Sequence, residues 1–192
     1  MKPRAALQPA GREELIEQIL GTCRVNNAVN LLLIKALSTK GLRAVPLASR
    51  GRDVAHQLAH MHKVRVAWMH YNEFAEAKRL PIYRGKDNPT KAQLKSAFRA
   101  SGKAVERYLP EKVADGSRIH FFKGKPIRWM AYMISRESHH RGQIALALKQ
   151  NGMRLPEKIA IGALWLTWYW GKNGLEPGSA GALRVSEGFR RR

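Results

Sequence analysis

Hydrophobic residues recur at helical spacing in five segments of the chain, and this pattern constrains the fold more than any other feature of the sequence. No alternation of apolar and polar residues, as in a half-buried strand, competes with the helical period. The predicted helices cover residues 12–37, 53–74, 89–108 and 126–150, with a shorter aromatic-rich segment from about 156. The sequence therefore predicts an all-α protein, an antiparallel four-helix bundle with an additional short C-terminal helix.

Turn and capping residues indicate where these helices begin and end. Asp53 has the side chain of an N-cap, and we expect the second helix to begin directly after it. Pro110 and the following Asp115-Gly116 pair are predicted to end the third helix, because proline removes a backbone donor and glycine favours a turn.

One domain accounts for most of the chain, since 192 residues are enough to bury a sizeable core. We predict that this domain covers residues 12–172 and that residues 1–11 form a flexible N-terminus. Residues 173–192 are rich in Gly and Ser and end in three arginines, which predicts a flexible basic tail.

The compartment is predicted from cysteine usage and from the longest apolar run. Cys23 is the single cysteine, so no internal disulfide can form, which suits a reducing compartment. The apolar run at residues 159–171 is too short to span a bilayer, and the N-terminus does not have the pattern of a secretory signal. We therefore expect a soluble, cytoplasmic protein that does not enter a membrane.

The chain carries a large excess of positive charge. Thirty-five Lys and Arg against 14 Asp and Glu give a net charge of +21. A field of this sign attracts nucleic acid, anionic lipid or acidic ligands. The basic residues are scattered and no nucleic-acid-binding motif accompanies them, so a solvated basic surface is the commoner explanation, and nucleic-acid binding stays open as an alternative.

Two adjacent histidines on the fourth predicted helix point in different directions. At about 100° per residue, Trp129, Met133 and Ile144 fall close to the direction of His140, which places His140 in the apolar stripe. His139 lies about 100° away and is predicted to be solvated. From its position alone, His140 is either a hydrogen-bonded core residue or a ligand.

The second predicted helix carries a comparable histidine. The same arithmetic places Ala67 and Tyr71 near the direction of His60, so His60 is also predicted to face the core. His56 lies one turn earlier, and an i, i+4 histidine pair can chelate one ion. His62 points about 160° away from His60 and is not expected to join the pair. Two helices that each direct a histidine inwards favour an open metal site, although the spacing by itself is not specific.

Three stretches of the chain resemble the DinB/YfiT-like superfamily of bacterial helical-bundle proteins, which includes damage-inducible, stress-associated members. They are RESHHRGQIALALKQNG at residues 136–152, GRDVAHQLAHMHKVRVAWM at 51–69 and RVNNAVNLLLIKAL at 24–37. The resemblance covers residues 12 to about 170 in the right order. It implies a four-helix bundle with an up-down-down-up path that is often a homodimer.

The resemblance also implies a divalent metal, commonly zinc or nickel, held by three histidines. One comes from the second helix and matches His60; the last histidine of an HxxxH pair on the fourth helix matches His140. The first member of that pair falls on Arg136. A guanidinium stays protonated and has no lone pair to donate, so Arg136 cannot replace an imidazole ligand.

Three outcomes follow from this substitution. The metal is lost and Arg136 holds an anion or a buried carboxylate such as Glu73 or Glu137; or a metal binds weakly through His60 and His140; or His56 supplies the third imidazole. We favour the first and therefore expect metal binding to be weak or absent.

The activity implied by the resemblance is that of a metal-dependent hydrolase or thiol transferase acting on a small molecule. In that chemistry His60 and His140 hold the metal and Arg136 orients an anionic substrate through paired hydrogen bonds. Because the ligand set is incomplete, little or no catalysis is expected. The alternative is a basic accessory protein, stress-associated, that binds anions or nucleic acid.

Overall fold

A computed structural model describes residues 9–48, 51–114 and 119–170 of the chain. Five α-helices follow one another: α1 Pro9–Ala36, α2 Val54–Tyr71, α3 Lys91–Ala114, α4 Pro126–Gln150 and α5 Leu166–Trp170. Short 3₁₀ segments lie at Gly41–Arg43, Ala75–Arg79 and Phe122–Gly124, and a π-helical segment at Lys158–Ala163 precedes α5. None of the described residues forms a strand, so the predicted all-α class is confirmed.

The predicted helix boundaries hold best where a capping signal marks them. Asp53 Oδ1 accepts the backbone N–H of His56 at 2.8 Å, so Asp53 caps α2 as predicted. The bounds of α4 agree with the prediction at both ends. Within the described residues, no helix is long and apolar enough to cross a membrane.

The predicted end of α3 at Pro110 is wrong, because the helix continues through Pro110 to Ala114. Proline removes one intrahelical hydrogen bond, but Tyr108 and Leu109 directly before it are fully buried and hold this part of the helix against the core. Asp115 and Gly116 lie outside the described residues, as do residues 1–8 and 173–192 of the predicted flexible ends.

Each long helix contributes to two apolar clusters. The Leu33 cluster includes, from α1 to α4, Leu33, Ile34, Leu58, Met61, Leu94, Phe98, Ile144 and Leu148. The Tyr108 cluster includes Ile19, Val66, Met69, Tyr108, Leu109, Trp129 and Met133. Helix α1 packs on α3 and α4, and α2 packs on the same two helices.

A layer of buried polar side chains lies between the two clusters along every long helix. Its members, which we call the polar layer, are Asn26 and Asn30 from α1, His62 and Arg65 from α2, Ser101 from α3, and Glu137 and Arg141 from α4. On each helix these residues follow one cluster in the sequence and precede the other. The core is therefore divided, and buried charge lies at its centre.

The predicted core face of α2 is wrong. Ala67 and Tyr71, taken to mark that face, are exposed, whereas Met61, His62 and Met69 are fully buried. Apolar residues occur almost all round α2, so its sequence does not define a single stripe. The structure turns His62 into the core and leaves His60 half-buried at the edge of the helix.

Candidate functional site

The histidines predicted to meet across the protein do meet, at the edge where α2 and α4 face each other. The rings of His60 and His140 lie edge to face with centroids 5.4 Å apart, and both side chains are half-buried. Arg136, one turn before His140 on α4, is hydrogen-bonded through Nη2 to Nε2 of His60. The guanidinium of Arg136 is thus bonded to Nε2 of His60, the nitrogen through which this histidine would bind a metal.

The charge state of His60 follows from this contact. A guanidinium only donates hydrogen bonds, so Nε2 of His60 accepts and the ring proton is on Nδ1. Burial, together with the nearby positive charges of Arg52 and Arg136, lowers the pKa of His60 to about 4. His60 is therefore a neutral imidazole at neutral pH.

The ring of His140 is held in place by Gln143, three positions later in α4. Its Nδ1 lies 3.1 Å from Oε1 of Gln143, so Nδ1 donates and Nε2 keeps a free lone pair. The amide group of Gln143 in turn donates to Nε2 of His139 at 2.9 Å, and His139 is exposed as predicted. Burial and the charge of Arg136 lower the pKa of His140. A metal ligand is commonly fixed in this way by its second ring nitrogen.

His56 is not brought to the site as a third ligand. Its Nδ1 lies 2.6 Å from Oδ1 of Asp53, the carboxylate that caps α2. Among the residues that the structure describes, no three His, Cys, Asp or Glu side chains are grouped so that they could hold a metal ion. With Arg136 on His60, the residues present do not fit the three-histidine centre that the resemblance implies.

The electrostatics of the site favour a negative group instead. Arg52 and Lys63 add positive charge around His60, and both side chains are exposed. The Nε of Arg136 is buried and has no hydrogen-bond partner among the described residues. Leaving such a donor unsatisfied costs about 1–3 kcal/mol. A carboxylate or phosphate oxygen is the natural acceptor for it.

Neither carboxylate suggested as an internal partner for Arg136 is bound to it. Glu73 is exposed in a turn with φ 63°. Glu137 is fully buried, but its carboxylate is paired with Arg65, which approaches from α2 through Nε and through Nη2 at 2.7 Å. Adjacent residues on a helix point about 100° apart, so Glu137 enters the core while Arg136 lies at its edge.

The polar layer satisfies Glu137 almost completely, and sequence reasoning missed this network. Asn26 and Asn30 donate to Oε2 of Glu137 at 2.7 and 2.6 Å, and their side-chain oxygens accept from Nη1 of Arg141. Burial raises the pKa of Glu137, but the guanidinium of Arg65, the hydrogen bond from Asn30 and the charge of Arg141 together outweigh it and hold the pKa below its usual value. The available signal was that Glu137 and Arg141 share a stripe with Ile144 and Leu148.

His62 closes the layer on the side of α3. Its Nε2 donates to the carbonyl of Pro81 at 2.6 Å, and its Nδ1 lies 3.2 Å from the hydroxyl of Ser101. Burial lowers the pKa of His62 to about 4, so it is neutral at neutral pH. His62 is therefore a core histidine with both ring nitrogens hydrogen-bonded. The histidine of α2 that faces His140 is His60.

The fold and the site define an all-helical protein whose second and fourth long helices each present a histidine to one site, with Arg136 between them. The DinB family model matches residues 12–171, and the chain belongs to the DinB family. No curated protein and no solved structure gives a significant match to the chain. The predicted family is thereby confirmed.

Proposed function

We propose that this DinB-family protein uses the site formed by His60, Arg136 and His140 to bind a small anion, and that it binds a divalent metal such as zinc or nickel weakly or not at all. One observation carries the proposal: Arg136 is bonded to the nitrogen of His60 that a metal would need, while its Nε has no hydrogen-bond partner in the part of the chain that the structure describes. The two imidazoles are neutral at pH 7, so the net charge of the site is that of the surrounding arginines and lysine.

Hydrolase or thiol-transferase activity of the metal-dependent kind is correspondingly proposed to be slight. Such chemistry needs an ion that polarises a bound water or stabilises a thiolate. The Cys23 thiol does not substitute for a metal-activated nucleophile, because burial raises its pKa to about 12 and keeps it protonated.

We also propose that α1 to α4 form the antiparallel bundle with the up-down-down-up path of the family. The order of the core clusters supports it. Helices α1 and α4 run from the Tyr108 cluster to the Leu33 cluster, whereas α2 and α3 run in the opposite sense. A homodimer and a cytoplasmic, stress-associated role are proposed on family grounds alone.

The anion proposal is tested by titrating inorganic phosphate and acetate into the protein while the histidine ring resonances are followed by NMR. We expect the signals of His60 and His140 to shift, and we expect Arg136→Gln to weaken binding about tenfold or more, as for a charge-assisted hydrogen bond. Arg128→Gln is the matched control, because Arg128 is an exposed arginine on the same helix and its loss changes the net charge equally.

Two results would contradict the proposal. One is equal weakening by Arg136→Gln and Arg128→Gln, which would mean that only the overall charge attracts the anion. The other is elemental analysis showing about one divalent ion per chain in protein purified without an affinity tag, with loss of the ion in His60→Ala.

The alternative function is a nucleic-acid-binding accessory protein, supported by the charge of +21. Binding to DNA of unrelated sequences is then expected to fall steeply as salt rises, with a slope set by the number of phosphates neutralised. Equilibrium binding at several salt concentrations measures that slope. A slope near zero, or no binding at low salt, would remove this alternative.

A further inference from the structure

A groove lies on the side of α4 that faces away from His60 and His140. It runs between α4 and the segment from Arg154 to Trp168, and its volume is about 480 Å³. That volume lies within the roughly 300–1,000 Å³ range of small-molecule sites. Gly142 lies on the groove, and a Cβ built there would meet nothing within 4 Å. The groove is therefore open along the middle of α4.

The polar side chains of the groove are donors and are mostly cationic. They are Ser138, Arg141, Lys149 and Arg154. Arg141 is only 8% exposed, and its Nη1 is held by Asn26 and Asn30 of the polar layer. Within the described part of the chain, Arg141 donates hydrogen bonds through Nη1 alone, so its Nε and Nη2 have no partner there. The groove thus contains a fixed guanidinium with free donors.

The rest of the groove is apolar and rich in tryptophan. Trp165 and Trp168 line it with 63% and 36% of their surface exposed, and Leu146 on α4 is 51% exposed. Exposed large apolar side chains that surround one concave surface are typical of a binding site. None of the described residues lining the groove is acidic or carries an amide side chain. A ligand with hydrogen-bond donors of its own would find few acceptors there.

We propose that this groove binds an amphipathic organic anion, a carboxylate with an alkyl or aryl body. The carboxylate accepts hydrogen bonds from Arg141 and lies near Lys149, and the apolar body packs on Trp165 and Trp168. Charge complementarity decides between the possible occupants. A second copy seated here through the same groove would bring its own Arg141, Lys149 and Arg154 against these three cations, whereas an anion neutralises them. The site is separate from the one at Arg136 and does not depend on the function proposed for it.

The test compares three straight-chain probes that share one alkyl tail: decanoate, decanol and decyltrimethylammonium, each titrated into the full chain by calorimetry. Decanoate is expected to bind about tenfold or more tightly than decanol, because the head group adds charge-assisted hydrogen bonds. The cationic probe is expected to bind most weakly. Equal affinity for decanoate and decanol would overturn the proposal, because binding would then depend on the apolar tail alone.

A substitution that fills the groove tests whether decanoate binds there. Gly142→Leu projects a side chain into the groove and is expected to lower decanoate affinity about tenfold or more, since most of the apolar contact is lost. The variant is expected to stay folded, because Leu has a higher helix propensity than Gly. Gly85→Leu is the control, because a Cβ there also meets nothing within 4 Å and Gly85 lies exposed in a turn and does not line the groove.

Four further outcomes would contradict the proposal. Gly142→Leu could bind decanoate as well as the unmodified protein does, or Arg136→Gln could abolish decanoate binding, which would place the ligand at the other site. Vesicles of anionic phospholipid that bind the unmodified protein and Gly142→Leu equally, with no binding of free decanoate, would show a membrane-facing charge effect. Gly142→Leu that converts a dimer to a monomer, again without decanoate binding, would show an interface between copies.

Discussion

Glu137→Gln is expected to lower the free energy of unfolding by about 3–5 kcal/mol, the usual effect of removing one partner of a buried ion pair. The substitution keeps the shape of the side chain but leaves the guanidinium of Arg65 buried without a counter-charge. Asn26 and Asn30, which both donate to the carboxylate, also lose an anionic acceptor. Equilibrium unfolding in urea, with the midpoint and slope both fitted, measures the change.

Glu76→Gln is the control for this measurement. Glu76 is paired with Arg107 through three contacts, but both side chains are exposed, so water screens the pair and its loss is expected to change stability little. A loss below about 1 kcal/mol for Glu137→Gln would mean that water reaches the polar layer. The double variant Glu137→Leu with Arg65→Met is expected to be less destabilised than Glu137→Gln, because both charges leave the core together.

The same pair makes stability depend on pH in a definite sense. The folded-state pKa of Glu137 lies below its ordinary value of 4.5, so its contribution is fully present above pH 4.5. That contribution is lost as the pH falls through the lower, folded-state pKa. The difference in free energy of unfolding between the unmodified protein and Glu137→Gln should therefore shrink as the pH falls through that pKa.

Arg136→His is expected to raise zinc affinity on the order of 100-fold or more, because it supplies the missing imidazole one turn before His140. The substitution also frees Nε2 of His60, which Arg136 now occupies, and removes a positive charge from beside both rings. Gln143 already holds His140 with Nε2 free, so no other rearrangement is needed at that ligand. Competition against a chromophoric zinc chelator measures the gain.

Arg128→His controls for the added imidazole, since position 128 lies on the exposed side of α4 two turns earlier. Removing His60 from the Arg136→His protein should reverse the gain. If Arg136→His binds zinc no better than Arg128→His, then the orientation of the helices prevents coordination, and the family's centre cannot be restored by one substitution. The same variant should lose phosphate binding if Arg136 is the anion ligand, so gain of metal and loss of anion are expected together.

The sequence predicted α4 well because several independent signals agree there. Pro126 marks its beginning, a regular apolar stripe covers its length, and the family motif fixes His140 beside Arg136. The sequence also predicts that His60 meets His140, but it places His60 on the buried face of α2, where the structure does not put it. Apolar residues lie on several sides of α2, so its sequence leaves that face undefined.

The buried ion pair could not be predicted by the same rules, since charged residues are assigned to the surface unless a partner is known. Arg65 and Glu137 are 72 positions apart, and only their approach in the folded chain makes burial tolerable. The sequence does not predict the groove beside Gly142 either, because the groove forms only where the segment after α4 folds back against that helix. What helical periodicity supplies is the direction of each side chain, and not the identity of the side chain opposite.

The polar layer also limits which arrangements of the helices the chain can adopt. Apolar side chains tolerate sliding, since one methyl group packs against another nearly as well after a shift. A slide of α2 by one turn, about 5.4 Å, would move Arg65 away from Glu137 and bring it against the apolar residues of one cluster. Each misaligned state would then hold uncompensated charge in hydrocarbon surroundings. Arg65 and Glu137 thereby favour one alignment of α2 against α4 over the shifted ones, whatever their net effect on stability.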